Sequence, residues 1–66
     1  MVNQNQLVLE HLRSGEHITA LEAMGLYRVY RLAARVRDLR RQGHYITTEL
    51  VMDKTGKRYA RYKLAA

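Results

Sequence analysis

The spacing of apolar residues changes at Gly43, and one kind of secondary structure cannot serve both sides of it. Before it, Val29, Leu32, Ala33, Val36 and Leu39 fall on one side of a helical wheel. At 100° per residue they span about 120°, the width of a core-facing stripe. After it, the run Tyr45 to Met52 is rich in β-branched residues and alternates, with Ile46, Thr48, Leu50 and Met52 on one side. Asp53-Lys54-Thr55-Gly56 is a turn signal. Lys57 to Leu64 then alternates again, with Arg58, Ala60, Tyr62 and Leu64 on one side and Lys57, Tyr59, Arg61 and Lys63 on the other. The two runs are expected to pair as a hairpin. An isolated hairpin is marginal, so the Ile46, Leu50 and Met52 side is expected to pack on helices, with Ala60, Tyr62 and Leu64 beside it.

Upstream, the punctuation is that of two further helices. Asn3 is a candidate N-cap for a helix over 4–13, with Leu7, Val8 and Leu12 at helical spacing and Gly15 as its stop. Thr19 and Glu22 have capping-box spacing, and Ile18 precedes them as a hydrophobic staple. The second helix is expected over 20–24, with Gly25 ending it and His17-Ile18 extended as a short strand. Gly25-Leu26-Tyr27 would turn the chain into a third helix over 28–42, closed by Gly43. A short helix, a glycine-containing turn and a longer basic helix make a helix-turn-helix, and the hairpin after it makes it winged. The expected class is α+β, with residues 1–66 as one domain.

Size and composition remove several functions. A chain of 66 residues buries a thin core, so an enzyme with an elaborate pocket is not expected. It has no cysteine, hence no disulfide or cysteine-based zinc site. His11, His17 and His44 are dispersed without carboxylates at ligand spacing, and Ser14 is the only serine. No catalytic residue, metal or cofactor is therefore expected. There is no signal-peptide pattern and no run of about 18 apolar residues that could span a membrane, which points to a cytoplasmic protein. The net charge is +6. Residues 1–27 hold one basic residue and three acids, whereas residues 28–66 hold eleven and three. Positive charge concentrated in this way is the usual footprint of nucleic-acid binding.

The residues Ile18-Thr19, Glu22-Ala23, Arg31 to Arg40, Gly43-His44, Ile46, Thr48-Glu49 and Gly56 to Leu64 resemble the small winged helix-turn-helix domain common in bacteriophage and prophage proteins. The resemblance covers about residues 7–64 and departs at GLYRVY, the aromatic and basic segment before the third helix. It implies a DNA-binding fold, often a phage regulator in a bacterial host cell.

In such a fold the third helix enters the major groove and its first half meets base edges, where an arginine fork matches guanine O6 and N7. The candidates are Tyr27, Arg28, Tyr30, Arg31, Ala34 and Arg35, with Arg37 and Arg41 further along for phosphates. Lys54, Lys57 and Arg58 are candidates for a wing on backbone or minor groove. Tyr59 and Arg61 alternate outward beside them. The competing reading is a solvated face, but six arginines against Asp38 alone repel one another. Some have structural alternatives: Arg31 with Glu22, Arg35 or Arg41 with Asp38, and Arg40 over the hairpin. The expected partner is double-stranded DNA. One module buries little surface, so a homodimer or tandem binding is expected, through helix 1 or the tail Lys63 to Ala66. A host protein partner, or an architectural role of the excisionase kind, is the alternative.

Overall fold

The structure, a computed structural model, describes residues 3–65; Ala66, the end of the tail named above, lies outside them. The chain runs α1 (Gln4–Arg13), β1 (Ile18–Thr19), α2 (Ala20–Tyr27), α3 (Leu32–Arg41), β2 (Ile46–Met52) and β3 (Arg58–Leu64).

Both upstream helices begin on reciprocal caps. The Asn3 Oδ1 accepts the Gln6 N–H at 2.8 Å while the Gln6 side chain accepts the Asn3 N–H. Thr19 Oγ1 accepts the Glu22 N–H at 3.2 Å, and the Glu22 carboxylate accepts the Thr19 N–H at 3.1 Å. Two otherwise orphaned donors are satisfied at each start. Gly15 and Gly43 take positive φ at the exits of α1 and α3.

The three strands form one antiparallel sheet in the order β1-β3-β2. β1 is only two residues long, pairing Ile18 with Tyr62 and Thr19 with Arg61. That pairing ties the N-terminal half to the hairpin. The nine buried apolar residues come from every element except β3, and Tyr62 and Leu64 of β3 pack against them.

Two helix boundaries differ from the sequence expectation. α2 does not stop at Gly25 but runs to Tyr27, and Arg28 leaves it in the left-handed conformation, φ 57°. Helix interior glycine costs about 1 kcal/mol. Packing outweighs it here: Tyr27 is held at the helix end by His11, and Val29 is buried immediately beyond. α3 therefore starts at Leu32, not at residue 28, and its N-cap Arg31 makes no side-chain cap. Within α3, Leu32, Val36 and Leu39 face the core, whereas Ala33, at the edge of the expected stripe, is exposed and Arg35 is half-buried. Leu50 and Met52 also depart from expectation. They are 71% and 59% exposed, because β2 runs past the end of the helical body.

His11 is a cross-brace between α1, α2 and the loop before β1. One ring nitrogen meets the Tyr27 hydroxyl at 2.8 Å and the other meets the His17 carbonyl at 2.9 Å. A carbonyl only accepts, so Nε2 carries the proton and donates to it. Nδ1 then accepts from Tyr27.

Arg40 fixes α3 to the sheet. The Tyr45 carbonyl accepts from the Ala65 N–H at 2.9 Å, so strand alternation turns the Ile46 carbonyl to the free edge. There Arg40 donates to it from Nε at 3.1 Å and Nη2 at 2.7 Å, and from Nη2 to Thr48 Oγ1 at 2.9 Å. Hydrogen bonds from a charged donor are worth about 1.5–3 kcal/mol at best, less when partly exposed. Arg40→Ala is expected to lower unfolding stability by about 1–2 kcal/mol, with Arg40→Lys recovering little because it lacks the planar fork. Urea unfolding of the three proteins measures this; equal midpoints for Arg40 and Ala would remove the clamp from the account.

Candidate nucleic-acid interface

The exposed side of α3 follows from what its other sides touch. Arg40 holds one flank to β2. On the opposite flank, Asp38 reaches Asn5 of α1 at 3.5 Å and pairs with Arg35 at 3.3 Å. Between these flanks Ala33, Arg37 and Arg41 stand in solvent one helical turn apart. Immediately before α3, Tyr30 is 72% exposed and Arg31 is also exposed.

The sequence candidates thus divide. Arg28, Tyr30, Arg31, Arg37 and Arg41 lie on the surface at the turn and along the outer side of α3. Lys54, Lys57 and Arg58 lie exposed on the wing. Tyr27 faces inward, with its ring edge-on to His11 at 5.7 Å and its hydroxyl bonded there. Arg35 is committed to Asp38 beside α1, and Ala34 is half-buried. Arg31 forms no ion pair with Glu22, whose carboxylate caps its own helix and approaches His17 Nδ1 at 3.8 Å.

The structure also brings together residues far apart in sequence. A cleft of about 880 Å³ opens between α2, the start of α3 and β3. Leu21 and Met24 line one wall, Tyr30 and Ala33 the floor side, and Lys57 to Tyr62 the other wall. Leu21 is 75% exposed. Leu21, Met24, Ala33 and Ala60 were not legible as site residues: Ala33 and Ala60 read as packing positions of their own elements, and Leu21 and Met24 carry no signal of their own. Ala33 and Ala60 keep the cleft wide where larger side chains would fill it.

Its electrostatics are set by how the acids are used. Glu49 pairs with Arg61 across the strands, and Asp38 with Arg35. Arg28, Arg31, Arg37, Arg41, Lys54, Lys57 and Arg58 form no ion pair among the described residues. The wing carries one acid near its tip, Asp53, and its carboxylate is spent inside the turn. The Oδ1 accepts the Thr55 hydroxyl at 2.7 Å and the N–H groups of Thr55 and Lys57 at 2.9 and 3.0 Å. The Thr55 hydroxyl bond first, then the turn amides, hold this carboxyl below its ordinary value of 3.8.

A carboxyl lowered in the folded turn stabilises that turn above the unfolded value, and the contribution is lost as pH falls through the folded one. The amide signals of Thr55 and Lys57 are therefore expected to hold their folded shifts through the ordinary carboxylate range and move only below it. In Asp53→Asn, whose amide oxygen still accepts, that titration should vanish while the turn remains. A shift of those signals in the wild type at or above the ordinary value would contradict the account.

Comparison with known families gives one match, described as a winged helix-turn-helix domain, over residues 3–66. Comparison with curated proteins gives no match, and comparison with solved structures gives none.

Proposed function

We propose that this chain, which belongs to the winged helix-turn-helix domain family, binds double-stranded DNA with sequence preference and acts as a transcriptional regulator. The observation that carries the reading is the row of unpaired basic groups from Arg28 through Arg31, Arg37 and Arg41, continued by Lys54, Lys57 and Arg58 on the wing. Among the described residues none of these charges is paired, whereas the remaining arginines of α3, Arg35 and Arg40, are bonded within the fold.

α3 is about 15 Å long at 1.5 Å per residue, which suits the major groove. In this reading Arg28, Tyr30 and Arg31 meet base edges at the entering end. Arg37 and Arg41 neutralise phosphates further along. The strand of backbone between the two grooves would run through the cleft, past Ala33 and Ala60, with Lys57 and Arg58 on it. A bacterial host, with phage or prophage origin, follows from the resemblance in sequence. Two copies on one site would supply the surface that a single module lacks.

Arg28 leaves α2 in the left-handed conformation. Left-handed backbone costs a residue with a Cβ on the order of 1 kcal/mol, and the exits of α1 and α3 avoid it with glycine. An arginine there is retained for its side chain. Arg28→Gly is expected to leave stability unchanged or raise it by up to about 1 kcal/mol, since relief of strain is offset by a freer unfolded chain. Affinity for a selected duplex should nevertheless fall by roughly 1–3 kcal/mol. Thermal melts and a fluorescence titration read the two effects separately; undiminished affinity would remove Arg28 from the interface.

The whole reading is tested by titrating labelled duplexes, selected and random, across salt concentrations. Affinity should fall steeply, with a slope near −0.9 per phosphate neutralised. Lys57→Ala should lower that slope by about one and weaken all sequences alike. The exposed Leu21 and Met24 favour a second reading, a module that binds another protein. Absence of duplex binding at about 50 mM salt would promote it.

A further inference from the structure

The wing has two unlike sides. By strand register, Leu50 lies opposite Ala60 and Met52 opposite Arg58, on the same side of the sheet as the pairs Ile46–Leu64 and Thr48–Tyr62. Near the body that side is core: Ile46 is buried, and Tyr62 and Leu64 pack against it. Four residues further on, roughly 13 Å at strand rise, the same side hangs free, with Leu50 and Met52 in solvent. The other side carries Glu49 paired with Arg61. The apolar side is also the one turned toward the helices, since Ile46 is buried among them and Tyr62 and Leu64 of the same side pack against that core.

A wing that met only phosphates would gain nothing from a leucine and a methionine in water. Met52 lies directly opposite Arg58 and Leu50 one pair nearer the body, and the tip just beyond carries Lys54 and Lys57, which form no ion pair among the described residues. Such a surface complements a groove with anionic walls and an apolar floor. The minor groove next to the one filled by α3 is such a place. It is only about 6 Å wide, against about 12 Å for the major groove that admits a two-stranded ribbon. A β-ribbon can enter it only by opening it, and leucine and methionine are among the side chains that wedge between base steps and bend the duplex.

We infer that Leu50 and Met52 form an apolar wedge that enters the minor groove of double-stranded DNA beside the α3 site and bends the duplex toward the major groove. The inference rests on the proposed DNA binding and adds a mechanical consequence to it: the target would be chosen partly by how easily its base steps unstack, at positions α3 does not touch.

The test uses a duplex recovered by selection, labelled at both ends for energy transfer, and the full-length protein. Wild type should bend it by at least about 20°. Leu50→Thr/Met52→Thr keeps strand-forming residues at both positions; it should still bind, with a loss of no more than about tenfold, and leave the duplex straight. In a second measurement that needs no variant, 2-aminopurine placed in successive steps beside the α3 site should brighten at one step on binding, as an unstacked base does. Binding without bending or brightening, or equal bending by the double variant, would overturn the wedge while leaving DNA binding intact. A variant that bends DNA normally but loses self-association in sedimentation would assign the same side to a second copy, also overturning it. No complex at all with wild type would instead overturn the DNA reading on which it stands.

Discussion

Val29 is the constraint on which the rest of the surface depends. It is fully buried between the second and third helices, and its N–H bonds back to the Ala23 carbonyl at 3.1 Å. To bury it there, the chain must leave α2 sharply, and Arg28 takes the left-handed conformation to do so. That single bend separates α2 from α3 and fixes where α3 starts. It also decides that Ala33, Arg37 and Arg41, rather than some other set of residues, stand outward.

The placement of the acids completes what this bend begins. Glu22 closes a capping box, Asp38 serves Arg35 and Asn5, Glu49 serves Arg61, and Asp53 is enclosed by its own turn. Apart from the contact of Asp38 with Asn5 on α1, each is used within a few residues or one strand of where it stands. The remaining two, Glu10 and Glu16, belong to the first helix and the loop after it. The basic surface is thus produced by the excess of basic residues after residue 27, and the few acids there leave it unbroken because Asp38 and Glu49 are bonded to arginines and Asp53 is turned into its own loop.

Much of this was legible in the chain. The Thr19–Glu22 capping box announces itself through residue types three apart and Asn3 through its type before a helical run, and strand alternation about the turn residues Asp53 to Gly56 gives the β2–β3 pairing. The start of α3 was not legible, because Val29 keeps helical spacing with Leu32 and Val36 although it packs from a turn. Alternation likewise says which side Leu50 and Met52 share with Ile46, but not where the body underneath them ends. The cleft was hidden for a different reason: its walls come from three elements, and an alanine carries no signal of being kept small. Tyr27 and His11 bond across sixteen positions, a distance at which neither residue hints at the other.

Arg40 has a consequence beyond holding α3 in place. β2 is seven residues long, rich in β-branched side chains, and forms an outer edge of the sheet. Such an edge exposes carbonyls and amides on which a strand from another molecule can grow. The guanidinium occupies the Ile46 carbonyl and the Thr48 hydroxyl at the end of the strand nearest the body, and it sets a fixed positive charge there. On the opposite edge the two-residue β1 covers Arg61 and Tyr62 of β3, and Arg58 to Ala60 beyond it line the cleft. One side chain therefore also acts as a guard against fibrous association, in a protein whose wing must keep apolar residues in water.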